Sequence, residues 1–182
     1  LRIIAGTWRG KRLVAPQGDS TRPTADRTRQ ALFDMLLHAP WGGRDLLEGA
    51  TVLDAFAGTG ALGLEALSRG AAAAVFMENG RAALAALSAN IAACKAGARA
   101  RILAVDATRP PKGSPCRIIF LDPPYDHDLL KFSLHALRES GWIVTGTIVV
   151  AEARRSAQCD GPGILLDERS YGTAKIMVWR GD

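Results

Sequence analysis

The chain is poor in the residues that staple or metallate small domains. Its three cysteines (Cys94, Cys116 and Cys159) are odd in number, widely spaced and free of any CxxC pair, so neither a disulfide framework nor a zinc site is expected. His38, His127 and His135 add no ligand spacing, and no metal is expected. Long apolar runs are missing as well. The longest, such as 71–77 and 147–151, fall far short of the roughly 20 residues a membrane helix needs. No charged-then-apolar leader opens the chain, so a secretory signal is not expected, and the plain expectation is a cytoplasmic protein with reduced thiols. There is no internal repeat, and the one compositional bias, alanine over 71–100, favours helix and tight packing.

What is present is 182 residues, 48% of them hydrophobic, enough for one domain with a sizeable core and a small appendage. The formal net charge is +5, and its placement matters more than its sum. The first 30 residues hold Arg2, Arg9, Lys11, Arg12, Arg22, Arg27 and Arg29 against only Asp19 and Asp26, which accounts for the whole excess. A neutral body with a basic N-terminal arm points to a polyanionic partner. Trp8 among the arginines, with Gly6 and Gly10 around it, argues for a shaped element rather than a solvated tail.

Residues 2–5 and 11–14 are β-prone runs around Gly6-Thr-Trp-Arg-Gly10, the pattern of a hairpin. A Pro/Gly/Ser/Asp loop occupies 16–23. A helix follows from Thr24 or Ala25, with Ala31, Leu32, Met35 and Leu36 on one face, and Pro40 and Gly42-Gly43 end it. From residue 51 strand and helix alternate: strands at 51–56, 73–77, 101–105, 117–121 and 147–151, helices at 61–69, 81–95 and 128–138, and a closing pair of strands at 164–168 and 175–179. Such alternation predicts an α/β fold with a mostly parallel sheet covered on both faces and one antiparallel strand near the end.

Two stretches carry the chemistry. Asp54 closes the first strand of the alternation, and Phe56-Ala-Gly-Thr-Gly-Ala-Leu-Gly63 turns into the next helix with GxGxxG spacing. Glycines there permit positive φ and clear the backbone N–H groups for a ligand. Glu78 ends the second strand about twenty residues on, where a carboxylate can grip both ribose hydroxyls. Asp106 is expected to end the third strand, placed to accept from an adenine amino group, although a turn or capping role accounts for it equally well. At this point NAD and S-adenosylmethionine are rivals, since both lay an adenosine across such a crevice. Asp122-Pro-Pro-Tyr125 breaks the tie. An Asp122 oxygen and the Pro123 carbonyl can accept the two N–H bonds of a planar exocyclic amine, proline stiffness keeps these acceptors in place, and Tyr125 offers a ring face to an extruded base. A hydride-transfer enzyme has no use for this group.

With both motifs in hand the chain resembles the class I S-adenosylmethionine-dependent methyltransferases that modify amino groups. More narrowly it resembles the RsmD family, which methylates N2 of one guanine in bacterial small-subunit ribosomal RNA. The resemblance runs through Arg2-Ile-Ile-Ala-Gly-Thr-Trp-Arg-Gly-Lys-Arg-Leu13, Arg22-Pro-Thr-Ala-Asp-Arg-Thr-Arg29, the stretch from Val52 to Gly70, Asp122-Pro-Pro-Tyr125 and the segment from Tyr171-Gly172 to Arg180. It implies a Rossmann-like, seven-stranded sheet with one antiparallel strand and a small N-terminal β-hairpin and helix extension. The implied division is a basic RNA-binding arm over 1–23 and a methyltransferase domain over 24–182. Asp54, Phe56, Gly58, Gly60, Glu78 and Asp106 fall at cofactor positions, with Thr24 near the pocket's lid, and Asp122, Pro123, Pro124 and Tyr125 at the catalytic one. Arg9, Lys11, Arg12, Arg22, Arg27 and Arg29 are implied to meet RNA phosphates. The family often has Ser where Thr59 stands and Phe where Tyr125 stands; both changes keep the chemistry. The implied cofactor is S-adenosylmethionine and the implied partner is 16S ribosomal RNA within a small-subunit assembly particle, with no membrane and no metal. Two other expectations stand beside this one: an adenine-N6 DNA methyltransferase, for which no target-recognition domain is evident, and a non-catalytic ribosome-assembly module, in which Asp122 or the glycine turn should have decayed.

Overall fold

The structure, a computed structural model, describes residues 1–16, 23–124 and 127–182. In chain order the elements are α1 (Pro23–His38), α2 (Arg44–Leu47), β1 (Thr51–Asp54), α3 (Ala61–Ser68), β2 (Ala73–Met77), α4 (Arg81–Ala93), β3 (Ala100–Leu103), β4 (Ile118–Leu121), α5 (His127–Glu139), β5 (Ile148–Arg154), β6 (Gly163–Tyr171) and β7 (Ala174–Gly181). The strands form one seven-stranded sheet in the order β3-β2-β1-β4-β5-β7-β6. Its pairs are parallel except where β7 meets β5 and β6, so β7 alone runs against the others. The order reverses between β1 and β4, the switch point at which open α/β sheets leave a crevice beyond the strand ends.

Strand alternation divides the core in two. Val52, Phe76, Ile118, Phe120 and Val150 pack beneath α1, α3 and α4, and Leu53, Met77, Ile119, Leu121 and Ala151 pack against α5 on the other face. All four β4 residues are buried, as expected for a central parallel strand read as a continuous apolar run. Phe33 of α1 sits on Phe120 at 5.6 Å between ring centroids.

The basic arm folds into this body. The expected hairpin closes with a single bridge, Arg2 to Arg12, supported by Ile3 N–H to the Lys11 carbonyl at 2.9 Å and Leu13 N–H to the Leu1 carbonyl at 3.1 Å. Ile3 and Leu13 are buried and join the α1 side of the core. Three buried polar residues of α3 and α4 tie the arm down. The Glu65 carboxylate accepts from the Ile4 and Ala5 N–H groups at 2.7 and 3.0 Å. Ser68 Oγ accepts from Trp8 N–H and donates to the Ala5 carbonyl. Asn90 accepts from Val14 N–H and donates to the Val14 and Thr59 carbonyls. Gly6, at φ +79°, lies so close to the Ser68 carbonyl that any side chain would collide with it. These bonds satisfy backbone groups of a short two-stranded element that is marginal by itself in water.

Candidate active site

β1 delivers its last residue, Asp54, to the crevice, and Ala55 N–H donates to the Phe120 carbonyl at 2.9 Å, so the glycine turn after β1 and the Asp122 loop after β4 start side by side. In the turn the three glycines do different work. Gly58 has φ +52° with nothing within 4 Å of a would-be side chain, and its N–H donates to Glu78 Oε2 at 2.8 Å. Its open surroundings leave the backbone approachable by a ligand. Gly60 also has positive φ, and a side chain there would strike Leu87. Gly63 lies inside α3, where a methyl would overlap the Phe76 ring, with Cζ at 2.8 Å and Cε1 nearer still. Close helix-to-strand packing, rather than ligand contact, requires that third glycine.

Four carboxylates stand across four adjacent strands at this edge: Glu78 after β2, Asp54 on β1, Asp122 after β4 and Glu152 on β5. Asp54 pairs in register with Phe76 and Phe120, two residues short of Glu78 and Asp122, and so lies one layer beneath them. It is 1% exposed; its Oδ2 accepts from Gly63 N–H at 2.9 Å, while Oδ1 is buried without a partner. Burial raises the Asp54 pKa to about 7 against the lowering effect of the Gly63 N–H, and the charges of Asp122 and Glu78 add to the rise. Burial likewise pushes Asp122 up to about 6. Asp122 as a whole residue is nevertheless exposed, so protein crowds its carboxyl while part of the residue faces water. Burial and then the neighbouring Asp122 charge raise Glu152 to about 7. No described cation forms an ion pair with any of the four. Such an edge suits a positively charged ligand. Among the described residues no group of three or more His, Cys, Asp or Glu side chains could hold a metal ion.

The residues singled out in the sequence distribute unevenly. Asp54, Gly58, Gly60, Glu78 and Asp122 come together at this edge. Phe56 is half-buried and packs on the α5-side core. Glu78 folds back on its own backbone, Oε1 accepting from Asn79 and Gly80 N–H at 2.9 and 2.6 Å, so its carboxylate also braces the glycine turn. Asp106 does not end a strand: β3 stops at Leu103, where Val105 N–H turns back onto the Leu103 carbonyl. Asp106 Oδ1 caps that loop by accepting from the Thr108 N–H and hydroxyl, and those bonds hold its pKa below the usual range. Pro123 is buried and Pro124 exposed. Thr24 falls in the first turn of α1. Tyr125 and Arg22 lie outside the described residues.

Arg9, Arg12 and Arg27 are exposed and Lys11 is half-buried. Arg29 is a correction. It is 6% exposed, donating to Asp26 at 2.9 Å and to the Arg2 carbonyl at 2.5 Å, with Glu65 at 3.8 Å. A guanidinium enclosed in this way joins the arm to α1 and cannot reach a phosphate; its place in an Arg-rich run hid that role. Sequence reasoning also missed Glu65, Ser68 and Asn90, polar residues inside helices whose burial depends on the arm lying over them. Glu152 had a usable signal. It follows 148–151 as Glu78 follows 73–77, an apolar strand running straight into an acid.

Comparison with known proteins bears on this geometry. The family model described as Conserved hypothetical protein 95 matches residues 1–180. The curated protein named Ribosomal RNA small subunit methyltransferase D from Escherichia coli (strain K12) is 42% identical over 155 residues, 84% of this chain and 74% of that protein. Its namesake from Haemophilus influenzae is 30% identical over 187 residues, 99% of this chain and 93% of its own length. The solved structure of yhhF from Escherichia coli covers 100% of this chain and 98% of that one at 36% identity with a TM-score of 0.85.

Proposed function

Because the chain belongs to the RsmD family of methyltransferases, we propose that it transfers a methyl group from S-adenosylmethionine to the exocyclic N2 of a guanine in 16S ribosomal RNA, on a small-subunit particle during assembly. The observation that supports this most is the shared rim: the open backbone at Gly58 and the Asp122-Pro123 acceptors flank one switch point, and Asp54 senses the charge of both Glu78 and Asp122.

The residues fit the cofactor. Open space over Gly58 admits a ligand to the backbone, Glu78 stands beside it to meet ribose hydroxyls, and the row of carboxylates, with which no described cation forms an ion pair, favours a cation. When bound, S-adenosylmethionine supplies an electrophilic methyl carried on a sulfonium. Asp122 and the Pro123 carbonyl accept the N–H bonds of the guanine amine and hold its nitrogen toward that methyl, and Tyr125 stacks the extruded base. Transfer of that methyl to the nitrogen lone pair would leave the sulfur as a neutral thioether, and the amine proton would then pass through the Asp122 carboxylate, which accepts its N–H, to water. Arg9, Lys11, Arg12 and Arg27, on the arm and the first turns of α1, meet RNA phosphates, and Arg22 belongs with them as part of the 1–23 arm.

The test is transfer of a radiolabelled methyl to unmethylated small-subunit particles, free ribosomal RNA and duplex DNA, followed by nucleoside analysis. N2-methylguanosine in the small-subunit RNA is expected; N6-methyladenine in DNA, or no product, overturns the reading. Asp122→Ala should lower turnover by about a hundredfold or more while the affinity for S-adenosylmethionine stays within a few-fold. Normal turnover in that variant removes the assignment of Asp122.

A further inference from the structure

Glu152 has no task in the mechanism above, yet it occupies a costly position. The β4–β5 register ends at Leu121 beside Ala151, so one step further Asp122 and Glu152 emerge as neighbours. Alternation puts Glu152 on the face of Val150, the side of the sheet that packs against α1, α3 and α4, and Asp122 is the charge that acts on it. No described hydrogen bond or ion pair reaches either carboxylate. One layer down, Asp54 Oδ1 is buried without a partner in the same row. Adjacent carboxylates that no described donor reaches repel one another and are poorly solvated, so the arrangement suits a ligand that brings N–H groups with it.

Guanine does so along one edge: N1–H and one N–H of N2 point the same way, while the second N–H of N2 turns toward the N3 side. Asp122 and the Pro123 carbonyl use those on N2. A second carboxylate alongside is matched by N1–H. Adenine offers only its amine, flanked by lone pairs at N1 and N7, and would set a lone pair against a carboxylate. We propose that Glu152 is a specificity-determining residue whose carboxylate accepts N1–H of the target guanine while Asp122 holds N2. This rests on the guanine-N2 reading of the same site.

The test compares guanine with 2-aminopurine, which keeps the 2-amino group but carries a lone pair at N1. Each is placed by ligation at the position the wild-type enzyme methylates, in small-subunit RNA reconstituted into particles. Wild type should prefer guanine by about a hundredfold or more in kcat/KM, since sites built for a hydrogen bond reject an analogue lacking it by up to about 10⁴–10⁵-fold. Glu152→Gln, whose amide can donate to the N1 lone pair, should shrink that preference at least about tenfold. A merely structural role would slow both substrates alike, and an unchanged ratio in Glu152→Gln overturns the proposal, as does a wild-type enzyme indifferent to the two bases. The variant relieves a like-charge pair, so its urea midpoint should not fall; if it fails to fold, Glu152→Asp reads the same ratio. Absence of wild-type methylation on guanine would instead sink the guanine-N2 reading and is distinguished by that control.

Discussion

Gly63→Ala separates a glycine kept for packing from one kept for a ligand. The new methyl falls on the Phe76 ring, closest to Cε1, with Cζ at 2.8 Å and Cδ1 at 3.2 Å. An unstrained carbon contact needs about 3.5–4.0 Å, so α3 or the ring must give by roughly 1 Å. Phe76 is 0% exposed and cannot swing into water. Overpacking of a filled core costs about 1–3 kcal/mol. The change also replaces glycine by alanine inside a helix, which by itself stabilises by about 1 kcal/mol. Because the overlapped ring is fully buried, the upper part of that range, about 2–3 kcal/mol, applies, and set against the helix gain it leaves a net loss of roughly 1–2 kcal/mol. Urea unfolding should show a lower midpoint at unchanged slope. Adding Phe76→Leu, which removes the ring edge, should restore part of the loss, leaving a non-additivity of about 1 kcal/mol. A Gly63→Ala protein as stable as wild type, or additive behaviour in the double variant, would refute the packing account and return this glycine to the ligand side.

Stability should fall as pH rises from about 4 to about 8. Asp54, Asp122 and Glu152 hold their protons more tightly folded than unfolded, so the native state binds more protons across that window and the contribution present at low pH is lost as they ionise. Asp54→Asn should flatten the profile of urea midpoints; a wild-type midpoint that climbs over the window contradicts the raised values. Glu65→Ala removes the acceptor of two arm N–H groups and the partner of Arg69 at 2.7 Å, with a loss of about 3–5 kcal/mol typical of a broken buried pair. Limited proteolysis should then cut within residues 1–16, and an arm that stays protected shows that Glu65 is dispensable for docking. Charge reversal at Arg9, Lys11 and Arg12 should weaken RNA binding and flatten its dependence on salt; an unchanged salt slope takes the arm out of the RNA interface.

How far the chain can be read without coordinates differs from residue to residue. The sheet follows from periodicity alone, because runs such as 118–121 are apolar on both faces and glycine or proline stops each helix. Asp54, Gly58, Glu78 and Asp122 are legible for a related reason: a parallel sheet sends every strand's end to one edge, so acids that follow apolar runs must gather there. The end of β3 and the place of Asp106 differ from the strand pattern, because a tight turn after Leu103 ends the strand early and leaves no local mark. The roles of Glu65, Ser68, Asn90 and Arg29 belong wholly to tertiary structure. Each is a polar side chain in a helix and reads as solvated until a segment 27 to 76 residues away in sequence covers it. The pairing of Asp122 with Glu152 is of the same kind. Composition and spacing determine that both residues leave strands at the reactive edge; only the strand order, which brings β4 beside β5, makes two solitary acids into neighbours whose charges must be shared.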